Sequence, residues 1–342
     1  MRCVAVALSG GIDSLASLIL LKKRNYAVEA VHALLAPGTA APDRLSQICA
    51  DLDVPLHVVD LGADFERAVM GAFLTSLGKG LTPNPCAICN RQIKFGALAS
   101  WALQHGFDYF ATGHYARLSD SSTDGPFLLP CSDEKKDQAY FLALVDQKIL
   151  RSVLFPMSDY SKDEARAILA EAGIRPCMEK ESQDICFIPK GGLDAYMAGQ
   201  LGHAEGQICL LDKSGSMPVL GRHKGLWNYT IGQRKGLGIA WKSPLYVVGK
   251  DMETNRLLVA EENCPGSTCQ ELAEVNFFLP VRKWPQRLYA RLRYRQPLAS
   301  VQVEEQGDRL RLELGRPLVA APGQLGVIYS DSGAILAGGI IC

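Results

Sequence analysis

Hydrophobic and polar residues along the first half of the chain form blocks that predict strands and helices in alternation. Residues 4–8 have the length and apolar character of a strand, and leucines after Asp13 recur at helical spacing as far as Arg24. Later blocks predict strands at residues 27–34, 56–59 and 109–112, and helices at residues 44–52, 65–77, 95–105 and 161–172. This alternation predicts an α/β fold with a doubly wound parallel sheet, whose ligand lies at the carboxyl ends of the strands.

The pattern changes after about residue 206. Short apolar runs separated by Gly, Pro and Asn follow at residues 245–248, 257–259, 275–278, 299–303, 310–314 and 326–329. Such runs are typical of a β-barrel. The sequence therefore predicts an α/β domain over residues 1–207, a small central domain over residues 208–268 and a C-terminal β-barrel domain over residues 269–342.

The chain has 342 residues, enough for two or three domains with a sizeable core. It contains no apolar run of about 18 residues, the length needed to span a membrane, and its N-terminal strand is too short to be a signal peptide. We therefore expect a cytoplasmic protein without a membrane partner. Eleven cysteines in such a chain argue against a disulfide framework and favour metal or thiol chemistry at some of them.

The formal net charge is zero, but the charges are segregated along the chain. Residues 209–300 carry fourteen Lys and Arg against seven Asp and Glu, and residues 213–250 contain seven basic residues and no acidic one. A second acid-free group comprises Arg282, Lys283, Arg287, Arg291, Arg293 and Arg295. This distribution suits a partner with a phosphate backbone, with an ordinary solvated basic face as the alternative.

A Ser-Gly-Gly-Ile-Asp-Ser segment at residues 9–14 connects the first strand to the first helix. This arrangement directs backbone N–H groups and the positive end of a helix dipole towards an anion, and Ser9 and Ser14 add hydroxyl donors. The segment is not a Walker loop, because no Gly-Lys-Ser/Thr follows the glycines, and it is not G-x-G-x-x-G. An ordinary glycine turn with a helix cap is the structural alternative.

Three cysteines lie in surroundings suited to chemistry. Cys86 and Cys89 form a C-x-x-C after a Thr-Pro-Asn-Pro segment, just before the helix predicted from residue 95. The prolines make this approach rigid, and the helix N-terminus is expected to lower the pKa of a thiol there. Alone, the two cysteines could be a redox pair, half of a metal site or a coincidence. Cys186 follows an acidic loop in a strand-like run, where a buried structural cysteine is the alternative.

Motifs along almost the whole chain resemble those of the tRNA-specific 2-thiouridylases of the MnmA type. They are SGGIDS at 9–14, TPNP at 82–85 with CN at 89–90, ATGHY at 111–115, KDQAYFL at 136–142, CFI at 186–188, TIGQRKGLG at 230–238, RYRQ at 293–296 and PGQ at 322–324. The first motif resembles the pyrophosphate (PP) loop of the ATP pyrophosphatases, which cleave ATP between its α and β phosphates. The resemblance implies an adenine nucleotide alpha hydrolase-like fold and an enzyme that replaces the C2 oxygen of the tRNA wobble uridine, position 34, with sulfur.

The resemblance also implies where the substrates bind. The ATP site would be lined by Ala7, Leu8, Ser9, Gly10, Gly11, Ile12, Asp13, Ser14, Ala33 and Gly113, with Mg²⁺ near Asp13. The anticodon loop of tRNA, including the target base, would contact Asn84, Pro85, His114, Lys136, Asp137, Gln138, Arg293, Tyr294 and Gln324. Cys89 and Cys186 match the family's nucleophile and its persulfide-carrying cysteine. A second partner would donate sulfur, either sulfide itself or a protein such as a cysteine desulfurase or a sulfur relay protein.

The chain departs from the usual family pattern in two places. The family carries Asp three residues before its catalytic cysteine, where this chain has Cys86, and the segment at residues 37–43 is shorter than the typical acidic insertion. Cys86, Cys89 and Cys186 together favour a [4Fe–4S] cluster with one open iron that binds hydrosulfide. A persulfide relay is the alternative, and zinc on the same thiolates is a third. The role of Cys177 stays open.

Two other functions stay open on the sequence alone. Another enzyme with the same loop, such as an amidating ligase or a different tRNA-modifying ligase, would need no paired cysteine motifs. A non-catalytic tRNA-binding module would need no intact loop, yet Ser9, Asp13 and Ser14 are all present.

Overall fold

A computed structural model describes residues 1–35, 42–119, 124–178, 185–188, 192–202, 204–211, 216–262 and 266–342. The shortened segment at 37–43 and the acidic loop before Cys186 lie wholly or partly outside these residues. The strands are β1 (Cys3–Ala7), β2 (Ala27–Leu34), β3 (Leu56–Asp60), β4 (Tyr109–Ala111), β5 (Arg117–Leu118), β6 (Leu128–Leu129), β7 (Val153–Leu154), β8 (Gly206–Leu210), β9 (Val219–His223), β10 (Tyr246–Asp251), β11 (Arg256–Ala260), β12 (Ser267–Phe277), β13 (Leu288–Arg291), β14 (Ala299–Gln306), β15 (Arg309–Leu318), β16 (Leu325–Ser330) and β17 (Ile335–Ile341).

Helices occur mainly in the first two hundred residues. The α-helices are α1 (Ile12–Lys23), α2 (Pro42–Asp51), α3 (Gly62–Phe65), α4 (Ala72–Gly78), α5 (Pro85–Cys89), α6 (Ala99–Gln104), α7 (Gln147–Leu150), α8 (Lys162–Glu171) and α9 (Leu193–Leu201). Two π-helical stretches, Glu66–Gly71 and Asn90–Leu98, connect α3 to α4 and α5 to α6, and short 3-10 turns occur at Ala139–Leu142, Leu226–Asn228 and Val281–Lys283.

The first domain is built on a parallel sheet with the strand order β3-β2-β1-β4-β7. The central strand β1 is covered on both faces, since Val4, Ala5 and Val6 are completely buried. The chain runs outwards from β1 to β3 and then returns to β4 on the other side of β1. The cleft at the carboxyl ends of β1 and β4 is therefore the topological switch point, where such sheets bind ligands. The predicted doubly wound α/β fold is confirmed.

The helix predicted from residue 95 begins ten residues earlier than expected, at Pro85. Asn84 is its N-cap, because the Asn84 side-chain oxygen accepts a hydrogen bond from the Ala87 N–H at 3.2 Å. Proline is favoured at the first helical position, where its missing N–H costs nothing. The Asn-Pro pair is therefore a helix start, although the sequence interpretation treated it as a rigid loop. Cys86 and Cys89 consequently lie on the helix itself.

The second half of the chain is β-structure, as the change of pattern predicted. A four-stranded sheet with the order β10-β11-β8-β9 precedes a closed barrel with the order β12-β15-β14-β13-β16-β17. On β15, Leu310, Leu312 and Leu314 point inwards while the residues between them are exposed, which is the period-two pattern of a half-buried strand. The C-terminal β-barrel is therefore confirmed.

The barrel packs directly against the α/β domain. A Cβ added to Gly338 on β17 would lie 2.6 Å from the Cβ of Ala143, so glycine permits close contact there. In the same region the Asn276 amide donates to the carbonyls of Ala143 and Val145, at 3.0 and 2.9 Å. Sequence analysis missed β17 because its interior contains a Gly-Gly pair, which weakens the strand signal. No helix in the described part of the chain is long and apolar enough to cross a membrane.

Candidate functional site

The loop that joins β1 to α1 presents a helix N-terminus at the switch point. Gly11 is the N-cap of α1 and no side chain caps this end, an arrangement suited to an anion. Inside the loop, the Ser14 hydroxyl donates to the Gly11 carbonyl at 3.0 Å and lies 3.3 Å from the Ser9 hydroxyl. Leu8 and Ile12 are buried, so these two residues contribute backbone rather than side chain to the loop surface.

Gly10 and Cys177 hold the loop from behind. Gly10 has a φ of +81°, in the left-handed region that favours glycine. A Cβ added there would lie 3.0 Å from the Cβ of Cys177, and the Cys177 N–H donates to the Gly10 carbonyl at 2.9 Å. Gly11 also forms an isolated parallel bridge with Met178. Cys177, whose role the sequence left open, thus supports the loop by packing against it.

The end of β4 closes against the loop through Gly113. A Cβ added to Gly113 would lie 2.7 Å from the Ser14 backbone nitrogen and 2.8 Å from the Asp13 carbonyl carbon. Ala7 ends β1, and Ala33 is the last residue but one of β2. Because the strands are parallel, the structure brings these predicted ATP-binding positions to one edge of the sheet.

The Asp13 carboxylate accepts hydrogen bonds from two side chains that the sequence analysis did not single out. The Lys162 ammonium, on the first residue of α8, lies 2.8 Å from both oxygens of the Asp13 carboxylate. The Tyr115 hydroxyl donates to the Asp13 Oδ1 atom at 2.7 Å. Asp13 therefore has a fixed orientation at the start of α1.

The catalytic cysteine candidates lie on two segments. Cys89 is buried at the end of α5, whereas Cys86, one turn earlier, is exposed. Cys186 is also exposed, and its backbone forms a turn rather than the strand that the sequence analysis expected. Phe187 anchors this turn, since its ring packs edge-on against Phe65 and Phe73 at centroid distances of 5.7 and 5.4 Å.

The expected fall in thiol pKa is wrong for both cysteines of the C-x-x-C. Desolvation raises the pKa of Cys89 to about 11 and also raises the pKa of Cys86. It raises the pKa of Cys186 as well. The Lys94 ammonium opposes these three increases as a shared electrostatic neighbour. At each of the three thiols, desolvation outweighs the opposing charge of Lys94.

His114 lies between Lys94 and the loop that joins β1 to α1. The Lys94 Nζ atom lies 3.4 Å from the His114 Nε2 atom, and the Thr112 hydroxyl lies 2.8 Å from Nδ1. Burial, followed by the positive charge of Lys94, lowers the pKa of His114 well below its usual value, so the ring is neutral at physiological pH. An ammonium group can only donate, so Nε2 accepts and Nδ1–H donates to Thr112. Gly113, the residue before His114, packs against the loop that joins β1 to α1. Residues 113 and 114 therefore connect this loop to Lys94, which is the neighbour of the thiols.

Two of the predicted tRNA-binding segments lie together at the interface of the α/β domain and the barrel. The Tyr294 hydroxyl donates to the Asp137 carbonyl at 3.1 Å, and its ring packs 4.5 Å from that of Phe141. The Asp137 carboxylate points inwards, accepting the backbone N–H groups of Cys131 and Ala139. Gln138 is likewise engaged through its side-chain oxygen, while Arg293 is exposed.

Gln324 connects the barrel to the loop before α5. Its amide donates to the carbonyls of Thr82 and Pro83, at 2.7 and 3.3 Å, and the Thr82 N–H donates to the Pro322 carbonyl at 2.8 Å. Together with the cap that Asn84 provides to α5, these bonds fix the approach to Cys86. Gln324 and Asn84 therefore hold the loop in place, in addition to the tRNA contacts that the sequence predicts for them.

Three family models match the chain in succession. The tRNA methyl transferase HUP domain model matches residues 2–190, the tRNA methyl transferase PRC-barrel domain model matches residues 194–261, and the aminomethyltransferase beta-barrel domain model matches residues 267–341. The tRNA-specific 2-thiouridylase MnmA of Nitratidesulfovibrio vulgaris (strain DP4) is 42% identical over 342 residues, covering 99% of this chain and 98% of that protein. The chain belongs to the tRNA-specific 2-thiouridylase family.

Two further 2-thiouridylases show how broadly this similarity extends. The MnmA of Lawsonia intracellularis is 38% identical over 351 residues, and that of Persephonella marina is 35% identical over 364 residues. Each comparison covers 99% of this chain, with 98% and 99% of the respective relative. The recognition made from the sequence motifs is confirmed, and with it the assignment as a sulfurtransferase enzyme.

The [4Fe–4S] cluster expected for this 2-thiouridylase has no preformed ligand set in the described part of the chain. Among the described residues, no group of three His, Cys, Asp or Glu side chains could hold a metal ion. Cys86, Cys89 and Cys186 are electrostatic neighbours, but as placed they do not form such a group. The residues present thus do not fit the cluster in this conformation, so the [4Fe–4S] cluster stays a prediction.

Sequence reasoning missed Lys94, Lys162 and Tyr115 in this thiouridylase. Lys94 follows Cys89 by five residues within one continuous helical segment, a spacing that could have indicated it. Lys162 follows the capping serine of α8, at a position where a cation is unfavourable. Tyr115 lies in the ATGHY motif, but the sequence analysis assigned this residue no role.

Proposed function

We propose that the chain converts the C2 carbonyl of the tRNA wobble uridine to a thiocarbonyl, using one ATP for each sulfur. The proposal rests on the contacts of residues 113 and 114, which connect the nucleotide loop to the neighbourhood of the thiols. Gly113 packs on the nucleotide loop, while His114 contacts Lys94, the common neighbour of the three thiols. Activation by ATP and delivery of sulfur are thereby supported at one cleft.

In the first step the uridine O2 atom attacks the α-phosphate of ATP, and pyrophosphate leaves from the loop of residues 9–14. The uridine oxygen is a poor leaving group, whereas the adenylated oxygen departs as AMP. Splitting the substitution in this way makes C2 accessible to a sulfur nucleophile. The target base must leave its stack, at a cost of a few kcal/mol, and contacts to the tRNA backbone offset this cost.

In the second step the terminal sulfur of a Cys186 persulfide attacks C2 and AMP leaves. Persulfide sulfur must gain two electrons to become the sulfur of 2-thiouridine. Cys89 supplies them by attacking the bridging sulfur, which leaves a Cys89–Cys186 disulfide that an external thiol must reduce. The shared Lys94 neighbour supports this assignment, because a positive charge stabilises a thiolate. Cluster-bound hydrosulfide is the other route that the sequence predicts.

The basic residues of the second half support tRNA as the substrate. Arg222, Lys224, Arg234, Lys235 and Lys242 are exposed in the central domain, and Arg282, Arg287, Arg293 and Arg295 are exposed in the barrel. Exposed Lys and Arg release counterions from a phosphate backbone on binding.

Incubation of the protein with unmodified tRNA, ATP, Mg²⁺, a reducing thiol and a persulfide donor, namely a cysteine desulfurase with its cysteine substrate, tests the function. We expect 2-thiouridine at the wobble position and AMP and pyrophosphate in equal amounts, measured by nucleoside mass spectrometry and by nucleotide chromatography. ATP cleavage without a thiolated nucleoside would contradict the proposal and favour another ligase with the same loop.

Replacing Arg293 with Ala is expected to weaken tRNA binding and to reduce the slope of log K against log salt by about 1, because one phosphate contact is lost. Binding measured between low and physiological salt checks this. Arg166→Ala is the matched control, since Arg166 is an exposed arginine on α8, paired with Asp163. An unchanged slope in Arg293→Ala would remove Arg293 from the tRNA surface.

A further inference from the structure

Arg291 lies on the face of the barrel that packs against the α/β domain. It is the last residue of β13, between Ala290 and Leu292, which are completely buried in the barrel core. Successive side chains of a strand point to opposite faces, so the Arg291 side chain points away from that core. On the neighbouring strand β16, Val327 and Tyr329 belong to a hydrophobic cluster that the barrel shares with the α/β domain. The arginine is therefore at the interface of the two domains.

The Arg291 guanidinium faces protein groups at this interface. It lies over the ring of Tyr329, 5.6 Å from the ring centroid, which is a cation–π contact. Its Nε atom is buried and makes no hydrogen bond to the described residues. Its positive charge also acts on the Asp137 carboxylate of the α/β domain. Burial raises the pKa of Asp137, and the hydrogen bonds from two backbone N–H groups and then the charge of Arg291 oppose that rise.

The Asp137 carboxylate closes the segment that contains two of the predicted tRNA-binding residues. It accepts hydrogen bonds from the N–H groups of Cys131 and Ala139, at 3.2 and 3.3 Å. Lys136 and Gln138 lie inside the segment that these bonds close, one on each side of Asp137. A carboxylate accepts backbone N–H groups more strongly when it is ionised. The charge state of Asp137 therefore affects the shape in which this segment is held.

The same segment is bonded on one side to the barrel and on the other to the nucleotide loop. On the barrel side, the Tyr294 hydroxyl donates to the Asp137 carbonyl at 3.1 Å. On the other side, the Gln138 N–H donates to the Tyr115 carbonyl at 2.8 Å, and the Tyr115 N–H donates to the Gln138 side-chain oxygen at 2.9 Å. The Tyr115 hydroxyl in turn donates to Asp13. A displacement of the segment would therefore affect both surfaces.

A buried cation and a buried carboxylate in this arrangement depend on one another. Removing one partner of a buried pair leaves an uncompensated charge, which is strongly destabilising. Arg293, two residues after Arg291, is instead exposed and suits a phosphate contact. The acid-free basic group that the sequence analysis assigned to a phosphate backbone thus contains arginines in two different environments.

We propose that Arg291 is a positioning residue, which acts through the Asp137 carboxylate to hold residues 131–139 in the shape that binds tRNA. This inference rests on the proposed function, in which tRNA is the substrate. The barrel then contributes a charge that orders a segment of the other domain, in addition to the phosphate contacts of its exposed arginines. A tRNA that contacts both domains meets a preformed surface, so less conformational entropy is lost on binding.

Four variants of the full chain test the assignment, each assayed for binding of unmodified tRNA over a range of salt concentrations. They are Arg291→Gln, Arg291→Lys, Asp137→Asn and the double variant of Arg291→Gln with Asp137→Asn. Arg291→Gln is expected to raise the Kd for tRNA about tenfold, because the buried carboxylate loses its partner. The slope of log K against log salt should stay unchanged, because no phosphate contact is lost. Arg291→Lys keeps the charge and should recover most of the affinity.

The pH dependence of tRNA binding distinguishes an effect through Asp137 from a general loss of structure. Arg291 lowers the pKa of Asp137, so this pKa rises when the arginine is replaced. As the pH falls, the carboxylate of Arg291→Gln is therefore protonated, and tRNA binding weakens, at a higher pH than in the original protein. The double variant has no carboxylate and should lack this step. Glu134, Cys131 and Tyr329, the other titratable groups that interact with Asp137, are the same in all variants.

The melting temperature reports on folding in each variant. The double variant contains no unpaired buried charge, so we expect it to fold even where a single variant does not. Its tRNA affinity should be no lower than that of the weaker single variant, because the two residues act as one unit. Arg309→Gln is the matched control, since Arg309 is an exposed arginine of β15, paired with Glu271, and should leave the Kd and the salt slope unchanged.

Three results would overturn the inference. A salt slope reduced by about 1 in Arg291→Gln would make Arg291 a phosphate contact. A Kd within twofold of the original protein in a folded Arg291→Gln variant would leave the arginine without a role in tRNA binding. The same pH dependence in Arg291→Gln and in the double variant would exclude Asp137 as the group through which Arg291 acts. Failure of the unsubstituted protein to bind tRNA would instead contradict the proposed function.

Discussion

Replacing Cys186 with Ser is expected to reduce 2-thiouridine formation by at least about 10³-fold, the scale of losing a covalent nucleophile. A serine hydroxyl cannot carry a transferable sulfur in either predicted route. Because Cys186 is exposed on a turn anchored by Phe187, the substitution should leave the fold and tRNA binding intact. Nucleoside mass spectrometry measures the product, and pyrophosphate release in a single turnover measures the adenylation that should persist.

Cys269→Ser is the control for this variant, since Cys269 is an exposed thiol on β12 of the barrel. Normal product formation by Cys186→Ser would exclude Cys186 from the reaction. Iron and acid-labile sulfide in protein purified without oxygen separate the two sulfur routes. About four of each per chain, falling in Cys86→Ala, would support the cluster. Little iron with full thiolation would support the persulfide relay.

Gly113→Ala is expected to lower kcat/KM for ATP by about 10²-fold, since displacing a reacting group by about 1 Å has an effect of that size. The new Cβ would lie 2.7 Å from the Ser14 nitrogen and 2.8 Å from the Asp13 carbonyl carbon. Both are backbone atoms, so neither can turn aside as a flexible side chain would. The loop itself must move, and the anion-binding helix end moves with it. Steady-state kinetics over a range of ATP concentrations measure the loss.

Gly78→Ala serves as the matched control for the glycine substitution. A Cβ at Gly78 meets no atom within 4 Å, and the residue lies in the last turn of α4. This change should leave kinetics unaltered and stabilise the protein slightly, by about 0.4–1 kcal/mol. A Gly113→Ala variant with unaltered ATP kinetics would mean that the loop does not bind the phosphates.

The fold was largely predictable because periodicity is a local property. The strand predicted at residues 27–34 has its predicted bounds, and the helix predicted at residues 161–172 occurs as α8 between the caps Ser161 and Ala172. The start of α5 was missed because Asn-Pro is both a turn signal and a helix start, and only tertiary contacts decide between them. The β17 strand was missed because one of its two glycines, Gly338, serves contact with Ala143, which lies far away in sequence.

The candidate site was predictable residue by residue but not as a set of interactions. Motifs indicated Asp13, Cys89 and Cys186, yet no local pattern indicates that Lys162 reaches Asp13 or that Cys186 lies near Lys94. Thiol pKa values also depend on burial, which a sequence does not give. The expected decrease therefore had the wrong sign for Cys89.

The bonds from Gln324 to the loop before α5 have a consequence for how the protein is made. Thr82 and Pro83 are synthesised early, but the groups that bond to them are on Pro322 and Gln324, and Gln324 follows Thr82 by 242 residues. Domains generally fold in order as they leave the ribosome. The α/β domain can thus form its sheet before the barrel is made, and the loop before α5 is completed only after residues 322–324 have been synthesised. Until then, Thr82 and Pro83 lack the bonds that hold the approach to Cys86.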